Sequence, residues 1–151
     1  MNYQIDNTDI KILNILTQDA FVPFTEIAKK VHVAPGTVHV RMKKMEEAGI
    51  VKKPHLQIDL AAMGWDITAF IGVFLSKSEV YYKVIRELQK IPEVLSCHYT
   101  TGTYSLFLKV QCRDTRHLRD VLSDRVQKIE GIARTETLIS LEESFARELK
   151  L

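Results

Sequence analysis

The apolar positions of the first fifty residues fall at helical spacing. Ile12, Leu13 and Leu16 form one stripe behind Asp6 and Thr8, side chains suited to accepting the free N–H groups of a helix start, which predicts a helix over 6–16. Ile27, Ala28 and Val31 repeat that stripe behind Thr25 and predict a second, short helix. Pro35 suits the first position of a third helix, because its ring fixes a helical φ and its missing N–H would lack a partner there anyway. That helix runs through Ala48 and stops at Gly49, which adopts the left-handed conformation after a helix without steric cost. Beyond it the pattern shortens: Ile50–Lys53 and Leu56–Leu60 read as two short strands around a turn at Pro54-His55, together a hinge.

The rest of the chain alternates in type. A strand over 66–75, a helix over 79–90, strands over 94–101 and 104–112, a helix over 114–128 and a strand over 132–141 give the order βαββαβ, that of a split βαβ, ferredoxin-like domain. Thr101-Gly102-Thr103 reads as the tight turn between two of these strands. The predicted fold is therefore α+β, a three-helix winged helix-turn-helix domain over 1–53, a hinge strand and linker over 54–65, and a ferredoxin-like βαββαβ sandwich over 66–151. In the strand over 66–75, Thr68, Phe70, Gly72 and Phe74 alternate with Ala69, Ile71, Val73 and Leu75, so both faces ask for cover. A small domain covers one with its own helices, and a second subunit is expected on the other.

Composition narrows the class. With 46% hydrophobic and 26% charged residues in 151, the chain can bury a core, and no apolar run approaches the roughly 20 residues of a membrane helix. The opening Met1–Asp6 lacks the basic-then-apolar order of a secretory signal, so a cytoplasmic location is expected. Cys97 and Cys112, each in a predicted strand, are expected as reduced core thiols. The net charge of +2 is unevenly spread: residues 23–53 hold seven basic side chains against three acidic, whereas 54–151 hold thirteen of each. A local basic surface fits a polyanion at one end of the molecule.

The third helix carries that surface. At about 100° per residue, Val38, Met42 and Met45 share one face, while Gly36, Val40, Lys43 and Lys44 share the opposite one with Thr37 and His39 at the flanks. Two helices joined by a short turn, the second outwardly basic, match a recognition helix for the major groove of double-stranded DNA. Val40 among glycine and lysines suits a thymine methyl, and Lys43, Lys44 and Arg41 suit phosphates. Arg41 lies nearer the core-facing edge, so an ion pair to a carboxylate of the first helix competes with its DNA role.

Asp6, Asp9, Ile12-Leu13, Ile27-Ala28, Val38, Arg41, Met45-Glu46 and Gly49-Ile50-Val51 together resemble the helix-turn-helix of the Lrp/AsnC (feast/famine) regulators, and the remainder resembles their amino-acid-sensing domain. The runs Pro35–Arg41, Phe70–Gly72, Tyr99–Ser105 and Thr135–Ile139 are similar to the family's asparagine-responsive members. The resemblance implies homodimers built through the second domain, often assembled to octamers, with a free amino acid bound between dimers near the turn after that domain's second strand. Here that turn supplies Thr100, Thr101, Gly102, Thr103, Tyr104 and Ser105, with Thr135, Glu136 and Thr137 offered from a neighbouring chain, and asparagine is the first choice of effector. Hydroxyls beside a glycine suit a zwitterion, and Glu136 suits its ammonium. Two departures stand out. Many relatives carry an acid where Ser105 stands, and a serine before the recognition helix where Ala34 cannot cap.

Enzyme signals are absent from the sequence: His32, His39, His55, His98 and His117 show no pairing at helical spacing, and there is no phosphate-binding glycine loop, metal ligand set or cofactor motif. Two other readings stay open, a nucleoid-organising DNA-binding protein with little ligand response and an amino-acid-binding regulatory subunit of an enzyme. The outward cations of the third helix argue against the second of these.

Overall fold

The computed structural model describes residues 3–54, 56–147 and 149–151; His55, half of the predicted hinge turn, lies outside them. The chain divides into two compact units, Met1–Gln57 with Phe145–Leu151, and Ile58–Ser144. The division falls inside the 54–65 segment, and residues 145–151 make their contacts with the first unit.

The first unit holds α1 (Asn7–Leu16), α2 (Phe24–Val31) and α3 (Pro35–Glu47). Asp6 caps α1 by accepting from the N–H groups of Thr8 and Asp9 at 2.8 and 3.0 Å, and Asp9 reciprocates by accepting from the Asp6 N–H at 3.0 Å. Neither α2 nor α3 has a side-chain cap, as Ala34 dictates for α3. Ile12, Ile27, Ala28, Val38, Met42 and Met45 form the buried core between the three helices.

The two short strands expected over Ile50–Lys53 and Leu56–Leu60 do not form among the described residues. Gly49, at φ +73°, turns the chain so that the N–H groups of Ile50 and Val51 both donate to the Met45 carbonyl, at 2.9 and 3.2 Å. Those donors finish α3 instead of entering a ladder, Val51 packs on the helical core, and an isolated two-stranded pair is marginal in any case.

In the second unit, β1 (Ile67–Leu75), α4 (Tyr81–Leu88), β2 (Val94–Tyr99), β3 (Leu106–Cys112), α5 (Thr115–Asp120) and β4 (Ile132–Ile139) follow one another in the expected βαββαβ order. A 3-10 turn precedes α4, and α5 continues as a wider π turn over Val121–Val126. The sheet order is β2-β3-β1-β4 with every pairing antiparallel. Ala69, Ile71 and Val73 of β1 and Leu106, Leu108 and Val110 of β3 are buried with Val84 and Leu88 of α4 and Leu118, Val121 and Val126 of the second helical segment, so both helices cover one face. Cys97 and Cys112 are free thiols, and burial pushes the Cys112 pKa up to about 11, which keeps it protonated and unreactive.

The other face of β1 carries Phe70, Gly72 and Phe74, and the chain covers part of it with its own aromatic side chains. Phe70 stacks on Phe107 with centroids 5.8 Å apart, Phe74 meets the edge of Tyr104 at 5.3 Å, and the Arg134 guanidinium lies 4.0 Å above the Phe74 ring. Leu138 beside them remains 53% exposed.

Candidate nucleic-acid interface and effector site

In α3 the sequence period places side chains as expected: Val38, Met42 and Met45 are buried, whereas Gly36, His39, Val40, Lys43 and Lys44 are exposed and Thr37 is half-buried. Val40 keeps 52% of its surface in solvent. Lys43 reaches Glu47 only loosely, at 3.9 Å, and Lys44 makes no ion pair among the described residues, so both are available to an anion. Gly36, Thr37, Val40 and Lys44 line an open groove of about 510 Å³ with Tyr3, Gln4, Asp6 and Arg41.

Arg41, at the wall of this groove, pairs with α1. Its Nη1 donates to Asp6 Oδ2 at 2.7 Å and to Asp9 Oδ1 at 2.9 Å, and Asp9 is fully buried. Tyr3 also donates to the Asp9 carboxylate, at 3.0 Å. The bonds to Asp9 and Asp6 hold the guanidinium pKa above its ordinary value. Arg41 thus ties α3 to the capping box of α1 through the ion pair expected with a carboxylate of the first helix. That tie fixes how α3 sits against α1, and it engages one guanidinium nitrogen, Nη1.

The turn after β2 is built from within. The Thr100 N–H donates to the Ser105 carbonyl at 3.2 Å, and the Thr100 hydroxyl donates to the Tyr104 carbonyl at 2.7 Å. Ser105 N–H donates to the Val73 carbonyl at 2.9 Å while its hydroxyl accepts from the Leu75 N–H at 3.3 Å, which pins the turn to β1. Thr101, Gly102 and Thr103 form its exposed tip, with Gly102 at φ +108°, a conformation side chains rarely adopt. Of the six predicted residues, Thr100 and Ser105 hold the turn and the three at the tip face solvent.

Tyr104 leaves the turn and crosses the open sheet face. Its hydroxyl donates to Glu136 Oε2 at 2.8 Å, and Arg134 meets Glu136 Oε1 at 3.0 Å. The bond to Glu136 raises the phenol pKa, so Tyr104 stays a neutral donor. Glu136 lies opposite Gly72 in the β1–β4 register, which brings it to Tyr104 of its own chain. Thr135 and Thr137 pair with Val73 and Ile71, residues of the helix-covered face, and Thr135 accepts from Gln127 at 3.0 Å. Strand alternation therefore separates these two threonines from Glu136, and the three do not line one site in a single chain.

Arg134 and Gly72 were not singled out from the sequence as site residues. The signal for Arg134 was its i−2 spacing from Glu136, which in a strand puts opposite charges on one face, complementary to the two charges of an amino acid.

Residues 68–149 match the Lrp/AsnC ligand binding domain, and residues 5–52 match a winged helix-turn-helix DNA-binding domain. The chain is 44% identical to the regulatory protein AsnC of Haemophilus influenzae over 148 residues, covering 98% of this chain and 99% of that one. It superposes on the structure of AsnC from Escherichia coli with a TM-score of 0.94 at 39% identity, over 99% of this chain and all of the other (100%). A transcriptional regulator of Neisseria meningitidis, solved in complex with L-methionine, matches with a TM-score of 0.89 at 26% identity over 95% of this chain and 94% of that one. The outward basic helix and the antiparallel sheet domain are thus the two halves of one known design, and the chain belongs to the Lrp/AsnC family of DNA-binding transcriptional regulators that carry a ligand-binding domain.

Proposed function

We propose that this regulator reads double-stranded DNA with α3 in the major groove and responds to a free amino acid, asparagine foremost, bound at the turn 100–105 beside Tyr104 and Glu136. The carrying observation is the division of α3: Arg41 is committed to Asp6 and Asp9, and the face left outward presents Gly36, Val40 and Lys44 around an open groove. Val40 and the flanking Thr37 and His39 face base edges, and Lys43 and Lys44 face phosphates. Thr101, Gly102 and Thr103 offer backbone and hydroxyl groups to the effector, while Glu136 pairs with its ammonium and Arg134 with its carboxylate. The methionine complex of the Neisseria relative supports an amino acid as the class of effector.

The regulator works in the cytoplasm as at least a dimer and assembles towards an octamer. The half-covered sheet face bearing Phe70, Phe107 and the 53% exposed Leu138 is the surface offered to a second copy. Its relatives are named regulators, which favours this reading over an enzyme subunit. Calorimetry with asparagine on the wild type and on Gly102→Val tests the effector and its site together. Heat with the wild type and none with the variant is expected, because a β-branched residue does not hold φ +108°. No heat with the wild type rejects asparagine, and equal affinity rejects the site.

A further inference from the structure

Asn14 and Leu151 are paired at two points: Asn14 Nδ2 donates to the Leu151 carbonyl oxygen at 2.9 Å, and Leu151 N–H donates to Asn14 Oδ1 at 3.2 Å. A carboxamide that serves the N–H and C=O of one residue reproduces the pairing a neighbouring strand would give. Asparagine is a weak choice inside a helix, since its side chain competes for nearby backbone groups. Inside α1 its amide serves Leu151 instead.

Beside this clasp lies a mostly apolar groove of about 550 Å³, walled by Leu16, Phe24, Met42, Ile50, Val51 and Leu151. All belong to the first unit. Leu151 still exposes 53% of its surface, and Leu149 and Phe145 expose 80% and 76%. Three apolar side chains of one short segment therefore stand exposed in the unit whose groove the last of them borders.

We infer that this groove is a binding site for the chain's own segment 145–151, which acts as a strap on the DNA-binding unit. Asn14 fixes the backbone at residue 151 and Leu151 closes one wall, while Leu149 and Phe145, exposed in this structure, are the apolar side chains of the strap that the remaining space would take. Met42, which floors the groove, lies on the core side of α3, opposite Val40 and Lys44, so an occupied groove steadies the recognition helix without covering its outward face. Only residues 140–144 separate the strap from β4, the strand that carries Glu136. That short link gives an event at the effector site a covalent route to α3, and this last step alone rests on the proposed function.

Limited trypsin digestion of the full chain tests the strap without DNA or effector, because Arg147 lies within it. Asn14→Ala, which removes both bonds to residue 151, and Leu151→Asp, which sets a charge against the apolar wall, are each expected to raise the rate of cutting after Arg147 at least about fivefold, the scale on which one ordinary hydrogen bond shifts the closed population. Leu151→Asp leaves α1 intact, so it decides the matter should Asn14→Ala loosen that helix. An unchanged rate in Leu151→Asp overturns the strap, and a wild-type rate that rises on dilution overturns the intrachain assignment by placing a second copy's segment in the groove. The route to α3 fails if asparagine shifts the DNA affinity of Leu151→Asp as it does the wild type's. A wild type that binds no DNA faults the functional reading alone and leaves the digestion result standing.

Discussion

The ring of Tyr104 lies over Gly72, with no room for a side chain between them. A Cβ at Gly72 would come within 2.7 Å of Tyr104 Cγ and closer still to two other ring atoms. Gly72→Ala must therefore expel the ring and break its bond to Glu136, at a cost of about 1–3 kcal/mol in stability from overpacking. If the effector sits beside Tyr104, asparagine binding falls sharply in Gly72→Ala and less in Tyr104→Phe, which keeps the ring and loses only the hydroxyl. Denaturant unfolding and calorimetry on the two variants check both effects.

Arg41→Ala leaves the buried Asp9 carboxylate without its cation, with Tyr3 and the Asp6 N–H as its remaining donors. The first unit should lose about 3 kcal/mol, the scale for breaking one side of a buried pair. Arg41→Lys should recover part of that loss, because one nitrogen, Nη1, makes both bonds and a lysine ammonium is also a single charged donor, on a different stem. Urea melts of the two variants measure this, and equal stability of Arg41→Ala and wild type would return Arg41 to the DNA-contact role.

Replacing Lys43 and Lys44 together with alanine should weaken DNA binding on every sequence and flatten the slope of log affinity against log salt by roughly 0.9 for each phosphate no longer neutralised. Val40→Ser should instead alter the preference among operator variants while leaving the salt slope in place. Titrations at several salt concentrations separate the two behaviours.

Glu93 is buried, accepts from Arg125 Nη1 at 2.6 Å and lies 3.1 Å from His117 Nε2. Burial pushes its pKa up, but its own backbone N–H, His117 and Arg125 together outweigh that and hold it below the ordinary glutamate value. A depressed folded pKa adds stability that is fully present above the unfolded value of about 4.3 and is lost as the pH falls through the folded one. Glu93→Gln should therefore destabilise the second unit by about 2 kcal/mol at neutral pH, the scale of a hydrogen bond to a charged group, with the gap to wild type closing on acidification below about pH 4. Thermal melts from neutral to acid pH follow that gap.

The helices were legible because their signals are local. Pro35 and Gly49 bracket α3, Asp6 caps α1 through a side chain that accepts the following N–H groups, and a 3.6-residue period alone sorts Val38, Met42 and Met45 inward and Val40 and Lys44 outward. The order βαββαβ was legible for the same reason. The segment after Gly49 was not: two short alternating runs have the period of strands, but whether they pair depends on where their N–H groups find acceptors, and Met45 takes two of them.

By itself, then, the sequence determined which segments are helix or strand, which face of α3 is basic, and the family. Tertiary structure alone decided that Arg41 pairs with Asp9, that Glu136 joins Tyr104 while Thr135 and Thr137 turn to the helices, and that Asn14 of α1 holds Leu151. The reason is range. Periodicity and caps act over three or four residues, whereas these partners lie 32, 32 and 137 positions apart, and strand register and packing choose among several equally suitable charges and amides only once the chain has folded.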